Sequence, residues 1–379
     1  MNASKRNIPT LGVEEEYQLV DQHTGRLRSD CREVLAKIHQ MKEAQQCGLN
    51  FQHELHLSQI EVASPVCHNL QEVRTALSCA RRIIHQAAAP FGSLIVSAAT
   101  NPLPVSESEE NDVTPKRRYR TMLDRYQQLV KELRIFGCHV HVGIPDLETG
   151  VQVMNYARLW LPLLQAISTN SPFWEGHHTG YASYRRELWI QWPMAGPPHW
   201  FRDANEYKTV VDQLVEAGAI EDPTLIYWDV RLPQKTPTIE FRVFDALTDR
   251  NETVAIAAIC RAIVMTAQQE IDRGNRAPQI RHELMSAAMW RAARFGISEN
   301  LICPFDGKPV PAHQLLDRLA DWIQPTLEQT GDWADPHQGN VCQFIETLRS
   351  QGTGADRQSN YDGDLLNLMQ HLHQLTIQD

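Results

Sequence analysis

Four stretches of the chain alternate apolar and ionisable positions with the two-residue period of a β-strand. In "TLGVEEEYQLVD", residues 10–21, Leu11, Val13, Glu15, Tyr17 and Leu19 share one face, and Glu14, Glu16 and Gln18 share the other. In "RIFGCHVHVGIPD", residues 134–146, Phe136, Cys138, Val140 and Val142 form an apolar face opposite His139 and His141. In "TPTIEFRVFDA", residues 236–246, Ile239, Phe241 and Val243 point inward while Glu240 and Arg242 face away. The fourth stretch, "LNFQHELHLSQIEVASP", residues 49–65, brings Glu54, His56 and Ser58 to one side ahead of Glu61. Glu54 and Glu61 are separated by an odd interval, so a regular strand sends them to opposite faces; a bulge or break is required if both serve one site.

Helical periodicity fills the intervals. Amphipathic patterns run over about 66–90, 115–133, 150–170 and 203–219, the last with Asp203 placed to cap it. Beyond Asp245 the pattern is almost entirely helical, over roughly 249–273, 277–295, 311–329, 338–350 and 361–376, and the polar run 352–364 reads as a loop. Strands and helices do not alternate regularly, as a βαβ barrel or doubly wound sheet demands. The expectation is an α+β fold: a mainly antiparallel sheet with helices on one face and a polar trough on the other. Neither repeats nor low-complexity linkers divide the chain, so residues 1–379 are expected to form a single catalytic domain, mostly helical over about 249–379.

Composition narrows the classes. With 379 residues and 42% hydrophobic content, the chain can bury a substantial core. A formal charge of −10 and a pI near 5.9 argue against nucleic acid or an anionic membrane surface as the main partner, and leave cation-assisted chemistry open. The eight cysteines form no C-x-x-C pair and read as reduced thiols, neither a disulfide frame nor a zinc cluster. The start "MNASKRNIPT" contains no signal-peptide segment, and no run of about 18 apolar residues occurs, so the expectation is a soluble, cytoplasmic protein.

Each polar strand face has a bland reading taken alone. Glu14 and Glu16 could decorate a solvated edge strand, and Glu240 with Arg242 could form a surface ion pair worth under about 1 kcal/mol. Four distant strands doing the same is harder to set aside. Gathered around one trough, Glu14, Glu16, Glu54, Glu61, His139 and Glu240 carry a charge that demands a divalent cation, because adjacent unpaired carboxylates repel and resist burial. Mostly carboxylate donors with one imidazole suit Mg²⁺ or Mn²⁺. Such ions accompany phosphate, yet neither a P-loop nor a Rossmann fingerprint is present. Arginines must then hold the phosphates: Arg242, and Arg185 or Arg186 in "GYASYRRELWIQWP", residues 180–193, with Arg186 equally readable as a surface partner of Glu187. Glu15 is left facing the core and needs a partner such as an arginine. A competing reading is a metal-dependent amidohydrolase, although that class places H-x-H on the first strand of a regular β/α barrel, whereas here it follows residue 130.

The stretches "GVEEEYQLVD", "ELHLSQIEVASP", "CHVHVGIPD", "GYASYRRELW" and "TIEFRVFDA" occur in an order and spacing that together resemble glutamate-cysteine ligase family 2, the YbdK-type carboxylate-amine ligases. The resemblance covers nearly the whole chain. It implies a sheet curved into a half-barrel funnel, distantly related to glutamine synthetase, and an ATP-dependent ligase. It further implies that Glu14, Glu16, Glu54, Glu61, His139 and Glu240 surround Mg²⁺, and that Arg185 and Arg242 contact phosphate or a substrate carboxylate; apart from the resemblance, His56 and His141 add imidazoles near that site, and His141 is expected to contact the nucleotide. The implied reaction is attack of a carboxylate, the γ-carboxylate of glutamate, on the γ-phosphate of ATP; an amine, cysteine by the family's name, then displaces phosphate from the acyl phosphate to give an amide. The partners expected are therefore small amino acids and ATP, with a homodimer as the commonest closed assembly.

Overall fold

A computed structural model of the chain describes residues 8–105, 112–334 and 340–378. Most of the N-terminal stretch read against a leader, residues 1–7, and the first two residues of the helix expected over 338–350 lie outside the described residues.

Seven strands form the central sheet: β1 (Leu11–Asp21), β2 (Asn50–His53), β3 (Gln59–Ala63), β4 (Ser93–Val96), β5 (Gly137–Gly143), β6 (Val230–Arg231) and β7 (Thr238–Asp245). Their order is β6-β7-β5-β1-β3-β2, with β4 also paired to β1, and every pairing is antiparallel. One edge of β1 is shared: its first half, Leu11 to Glu15, pairs with β5 and its second half, Gln18 to Asp21, with β4. The sheet stays open, ending at β6 and β2, so the antiparallel expectation holds and no β/α barrel forms.

The break required between Glu54 and Glu61 is present. Residues 49–65 do not make one strand; β2 and β3 pair with each other as an antiparallel hairpin, and irregular backbone between them carries Glu54. In β7 the regular alternation also fails: the register with β5 shifts between Phe241 and Phe244, across Arg242. Such irregularities re-aim single side chains.

The apolar faces pack as their period requires. Val13, Val140, Val142, Ile239 and Phe241 join one core with the helices Leu147–Ile167 and Arg250–Asp272. Tyr17, Leu19, Ile60, Val62 and Ile95 join another with the helices Cys31–Gln40 and Leu70–Ala88. Arg250–Asp272 is long and apolar enough to cross a membrane, but 78% of its most apolar window is buried inside the protein, as befits a core helix.

Several boundaries move for physical reasons. The helix expected from 66 starts at Leu70, where the Asn69 side chain accepts from the Glu72 N–H at 2.9 Å. The pattern over 115–133 splits at Gln127, which has a φ of 50°, into Arg117–Tyr126 and Gln128–Glu132. The one expected from 277 begins at His282, beyond Pro278. Asp203 caps Ala204–Glu216 as expected, accepting from Glu206 N–H at 2.8 Å. The run 352–364 is not all loop: Thr353 and Asp356 form a capping box that starts the short helix Gly354–Ser359.

Candidate active site

Sheet register assembles the ionisable faces. Glu14 lies opposite His139, Glu16 opposite Glu61, Glu61 opposite Gln52, His141 opposite Glu240, and Glu240 opposite Arg231. Cross-strand partners share a face at Cβ separations of about 5 Å, so four segments far apart in sequence meet on one patch. Two triplets, Glu14 with His139 and Glu240, and Glu16 with Glu61 and His139, each bring their donor atoms within 4.8 Å of one another. His139 belongs to both.

Each of these groups has a defined local setting. His139 Nδ1 lies 2.9 Å from Glu14 Oε2, and His141 Nε2 lies 3.4 Å from Glu14 Oε1. Glu16 Oε2 accepts from the Gly137 N–H at 2.6 Å and from Gln59 Nε2 at 3.0 Å. Glu61 accepts from Gln52 at 2.5 Å, and Glu54 from the Tyr119 hydroxyl at 3.1 Å. Glu240 is paired twice, with Arg231 Nε at 2.7 Å and with Arg242 Nη1.

Burial divides the acids into two kinds. Burial, reinforced by the Glu54 charge, pushes the Glu16 carboxyl up to about 7. Burial also raises Glu54, and burial together with the charges of Glu54, Glu14 and Glu16 holds Glu61 well above the usual range. Burial opposes ionisation of Glu14 as well, but hydrogen bonds from His139 and His141 outweigh it and keep its carboxyl well below the usual range. Burial likewise disfavours the Glu240 carboxylate, yet the Arg242 and Arg231 charges hold it far below. Burial, then the Arg242 charge, pushes His139 down to about 4, so its imidazole is neutral and free to donate a lone pair.

Two spaces meet at this patch. A cleft of about 1030 Å³ is lined by Glu14, Gln52, Arg118, Arg231, Lys235 and Thr238 among others. An inner cavity of about 70 Å³ is lined by residues including Glu16, Glu54, His139, Arg185, Trp189 and Arg242. Glu14 and Glu16, two residues apart on one strand face, therefore serve different compartments.

Arg185 follows the Ser183 cap of the helix Tyr184–Trp189 and is held 3.8 Å from Asp245 Oδ1, a carboxylate that also accepts from Ser171 and Ser183 hydroxyls at 2.8 Å each. Its approach depends on Gly137: a Cβ there would lie 2.5 Å from Arg185 Nη2. The Arg242 guanidinium lies 5.7 Å from the Trp189 ring centre and 5.9 Å from that of Tyr227. Arg186 is not a surface partner of Glu187; it is buried and paired with Asp229.

Some expected members stand apart. Glu54 falls in neither triplet, although its charge is felt by Glu16 and Glu61. His56 is 1% exposed, bonds the Val130 carbonyl at 3.0 Å and is in neither triplet; burial pushes it down to about 3. His141 bridges Glu14 and Thr238 at the cleft. Periodicity missed Arg231, Arg118, Gln52 and Gln59. Arg231 sits on a two-residue strand, too short for any alternation to register.

A sequence model for glutamate-cysteine ligase family 2 matches residues 10–370. A provisionally named glutamate–cysteine ligase 2 of Rhodopirellula baltica is 50% identical over 351 residues, covering 93% of this chain and 92% of the relative. A similarly named Nocardia farcinica protein is 39% identical over 352 residues, covering 93% and 88%. Among solved structures, a bifunctional glutathione synthetase from Pasteurella multocida superposes with a TM-score of 0.66 at 15% identity; the match covers 97% of this chain but 52% of that one, so this chain spans about half its length. The glutamate–cysteine ligase of Francisella tularensis, solved in complex with AMP, gives 0.63 at 12% identity, covering 99% and 90%. These two likenesses establish the shared fold.

Proposed function

Because the chain belongs to glutamate-cysteine ligase family 2, we propose that it is an ATP-dependent carbon–nitrogen ligase joining the γ-carboxylate of glutamate to cysteine or another small amine in the cytoplasm. Family membership makes the chain a carboxylate-amine ligase of the glutamate–cysteine ligase type.

One observation supports ATP-dependent ligation most. His139 sits in two overlapping donor triplets and lines an inner cavity holding two arginines, while Glu14 of one triplet lines a cleft that carries Arg118, Arg231 and Lys235 among both basic and acidic side chains. The donors fit Mg²⁺ or Mn²⁺: carboxylate oxygens with one neutral imidazole, among them Glu16, Glu54 and Glu61, whose carboxyls burial and, for Glu16 and Glu61, neighbouring carboxylates push up, a crowding that a divalent cation would relieve. Glu14, His139 and Glu240 with Glu16 and Glu61 would hold the metal, and Glu54 would add charge from the cavity wall. A bound divalent ion supplies neutralisation of phosphate oxygens during transfer.

The chain's own residues do the rest. Arg118, Arg231 and Lys235 line the cleft where a nucleotide's phosphates would lie, with His141 at its edge between Glu14 and Thr238. Arg185 and Arg242, held by Asp245 and Glu240, face the inner cavity. There they would orient the substrate carboxylate and stabilise charge as the γ-phosphate passes to it, forming an acyl phosphate. Trp189 and Trp192 wall that cavity and limit water, which would otherwise hydrolyse the activated carboxylate before the amine arrives.

The test is ADP release with glutamate and a panel of amines in the presence of Mg²⁺. ADP formed only when acid and amine are both present is the expected result; no ADP with any pair, or amide cleavage without nucleotide, overturns the reading in favour of a hydrolase.

A further inference from the structure

Arg158, midway along the Leu147–Ile167 helix, is 1% exposed and no described carboxylate pairs with it. Its Nε donates to the Pro198 carbonyl at 3.0 Å, while its buried Nη1 has no partner among the described residues. Burial lowers the guanidinium to about 10, and no acid among the described residues raises it again. A buried cation without a counter-charge is costly, and such a group is stable where an anion can meet it.

The surroundings repeat the pattern. His282, the first residue of the His282–Phe295 helix, is partly buried and feels the charges of His199 and Arg158, opposed by that of Glu283, and its buried Nδ1 also lacks a partner. The exposed His199 ring stacks on it with centres 4.1 Å apart. The helix begins without a side-chain cap, so its first N–H groups add partial positive charge. Glu283, the acid of that first turn, is engaged by Arg281 at 2.9 Å and by its own backbone N–H.

We propose that Arg158, His199 and His282 form a binding site for a small oxyanion, a phosphate or a carboxylate, separate from the carboxylate-lined active site. The unpartnered Nη1 of the guanidinium offers one donor to an oxygen, and His282 Nδ1 offers a second. His199, the solvent-facing member, marks the entrance. The loop carrying Pro198 starts near Trp192, which lines the inner cavity, and is fastened to the same helix again where Asn155 and Phe201 exchange two hydrogen bonds, of 2.6 and 3.0 Å. An anion held at Arg158 therefore lies one loop away from the active-site wall. This inference does not depend on the ligase reading.

Full-length protein in phosphate-free buffer is titrated with sodium phosphate, sodium acetate or sodium chloride at matched ionic strength, followed by calorimetry and thermal unfolding. Phosphate or acetate should bind saturably and raise the Tm beyond the effect of chloride, and whichever saturates at lower concentration identifies the anion class. Affinity should fall roughly tenfold or more, the scale of one charge-assisted hydrogen bond, in Arg158→Met and in the double variant His199→Ala with His282→Asn. It should persist in Arg242→Ala, whose change lies in the active site. The proposal is overturned if wild type responds only as to chloride, if the variants keep wild-type affinity, or if Arg242→Ala abolishes the response. Should Arg158→Met fail to fold, the histidine pair carries the test.

Discussion

Glu15 and Arg81 form a fully buried, two-point ion pair, with Nη2 to Oε1 at 2.7 Å and Nε to Oε2 at 3.2 Å, directly behind the strand face that presents Glu14 and Glu16. The Arg81 donors also reach the carbonyls of Thr248 at 2.6 Å, Leu247 at 3.0 Å and Thr376 at 3.3 Å. Glu15 accepts in addition from Thr253 at 2.8 Å and from Tyr17. Three consecutive glutamates thus divide their labour: the middle one ties four parts of the chain together, and its neighbours face the site. Arg81→Ala leaves Glu15 charged and unpaired in the core, and the expected loss of stability is about 3–5 kcal/mol, read from urea unfolding.

The outer two acids should differ from Glu15 and from each other. Glu16→Gln relieves like-charge crowding around Glu61, so its Tm should hold or rise, whereas Glu14→Gln gives up the hydrogen bonds from His139 and His141 that favour its charge and should lower the Tm; the double variant is expected close to wild type. Mg²⁺ or Mn²⁺ affinity should fall by at least about tenfold by calorimetric titration, the scale of losing charged ligands. Unchanged metal and ATP binding would remove both residues from the proposed site.

Arg242→Ala separates chemistry from folding. Glu240 keeps Arg231 at 2.7 Å, so the stability cost is expected at about 1–2 kcal/mol. Turnover should drop roughly 10²–10³-fold if Arg242 stabilises charge in the transition state. Parallel losses of turnover and stability would mark it as structural.

Gly137→Ala tests positioning. The added methyl would stand 2.5 Å from Arg185 Nη2, forcing the guanidinium off its place beside Asp245. Steady-state kinetics should show a fall in kcat of about 10²-fold, the scale for displacing a catalytic group by about 1 Å. Wild-type kcat would show that the arginine has room to spare.

Acid sensitivity should trace in part to His56. Its imidazole is pushed down to about 3 in the folded protein, from 6.5 when free, so the unfolded chain binds the extra proton between those values. Stability is therefore intact above pH 6.5 and declines as pH falls toward 3, by on the order of 2 kcal/mol at pH 5. In His56→Gln the slope of unfolding free energy between pH 6.5 and 5 should be shallower than in wild type.

Much of this architecture was legible because strand and helix periods survive burial. The four polar strand faces, the need for a break between Glu54 and Glu61 and the odd position of Glu15 all follow from alternation. What alternation could not reveal depends on register and on short or wholly buried elements. Ser93–Val96 is nearly all core and carries no polar face to mark it, and Val230–Arg231 is two residues long. Arg231 was invisible because its role comes from lying opposite Glu240, a relationship only pairing creates. His56 shares a tripeptide with Glu54 yet turns away to a backbone carbonyl, since the hairpin connection has no regular alternation to hold both on one side. The helix at Gly354 did leave a trace, the Thr353 to Asp356 spacing of a capping box, which its Gly-rich flanks obscured.

The shared edge of β1 bears on the order of events during synthesis. The strand emerges within the first 21 residues, but β5 and β7, which supply His139 and Glu240, end at Gly143 and Asp245. The opening carboxylates must wait for most of the chain, and long-range pairings of this kind are slow to close. A ribosome-bound chain halted near residue 200 would hold Glu14 and His139 but lack Glu240 and Arg242. Metal capture would then be among the last steps of maturation, and chains stalled earlier should be the form most prone to recruit chaperones.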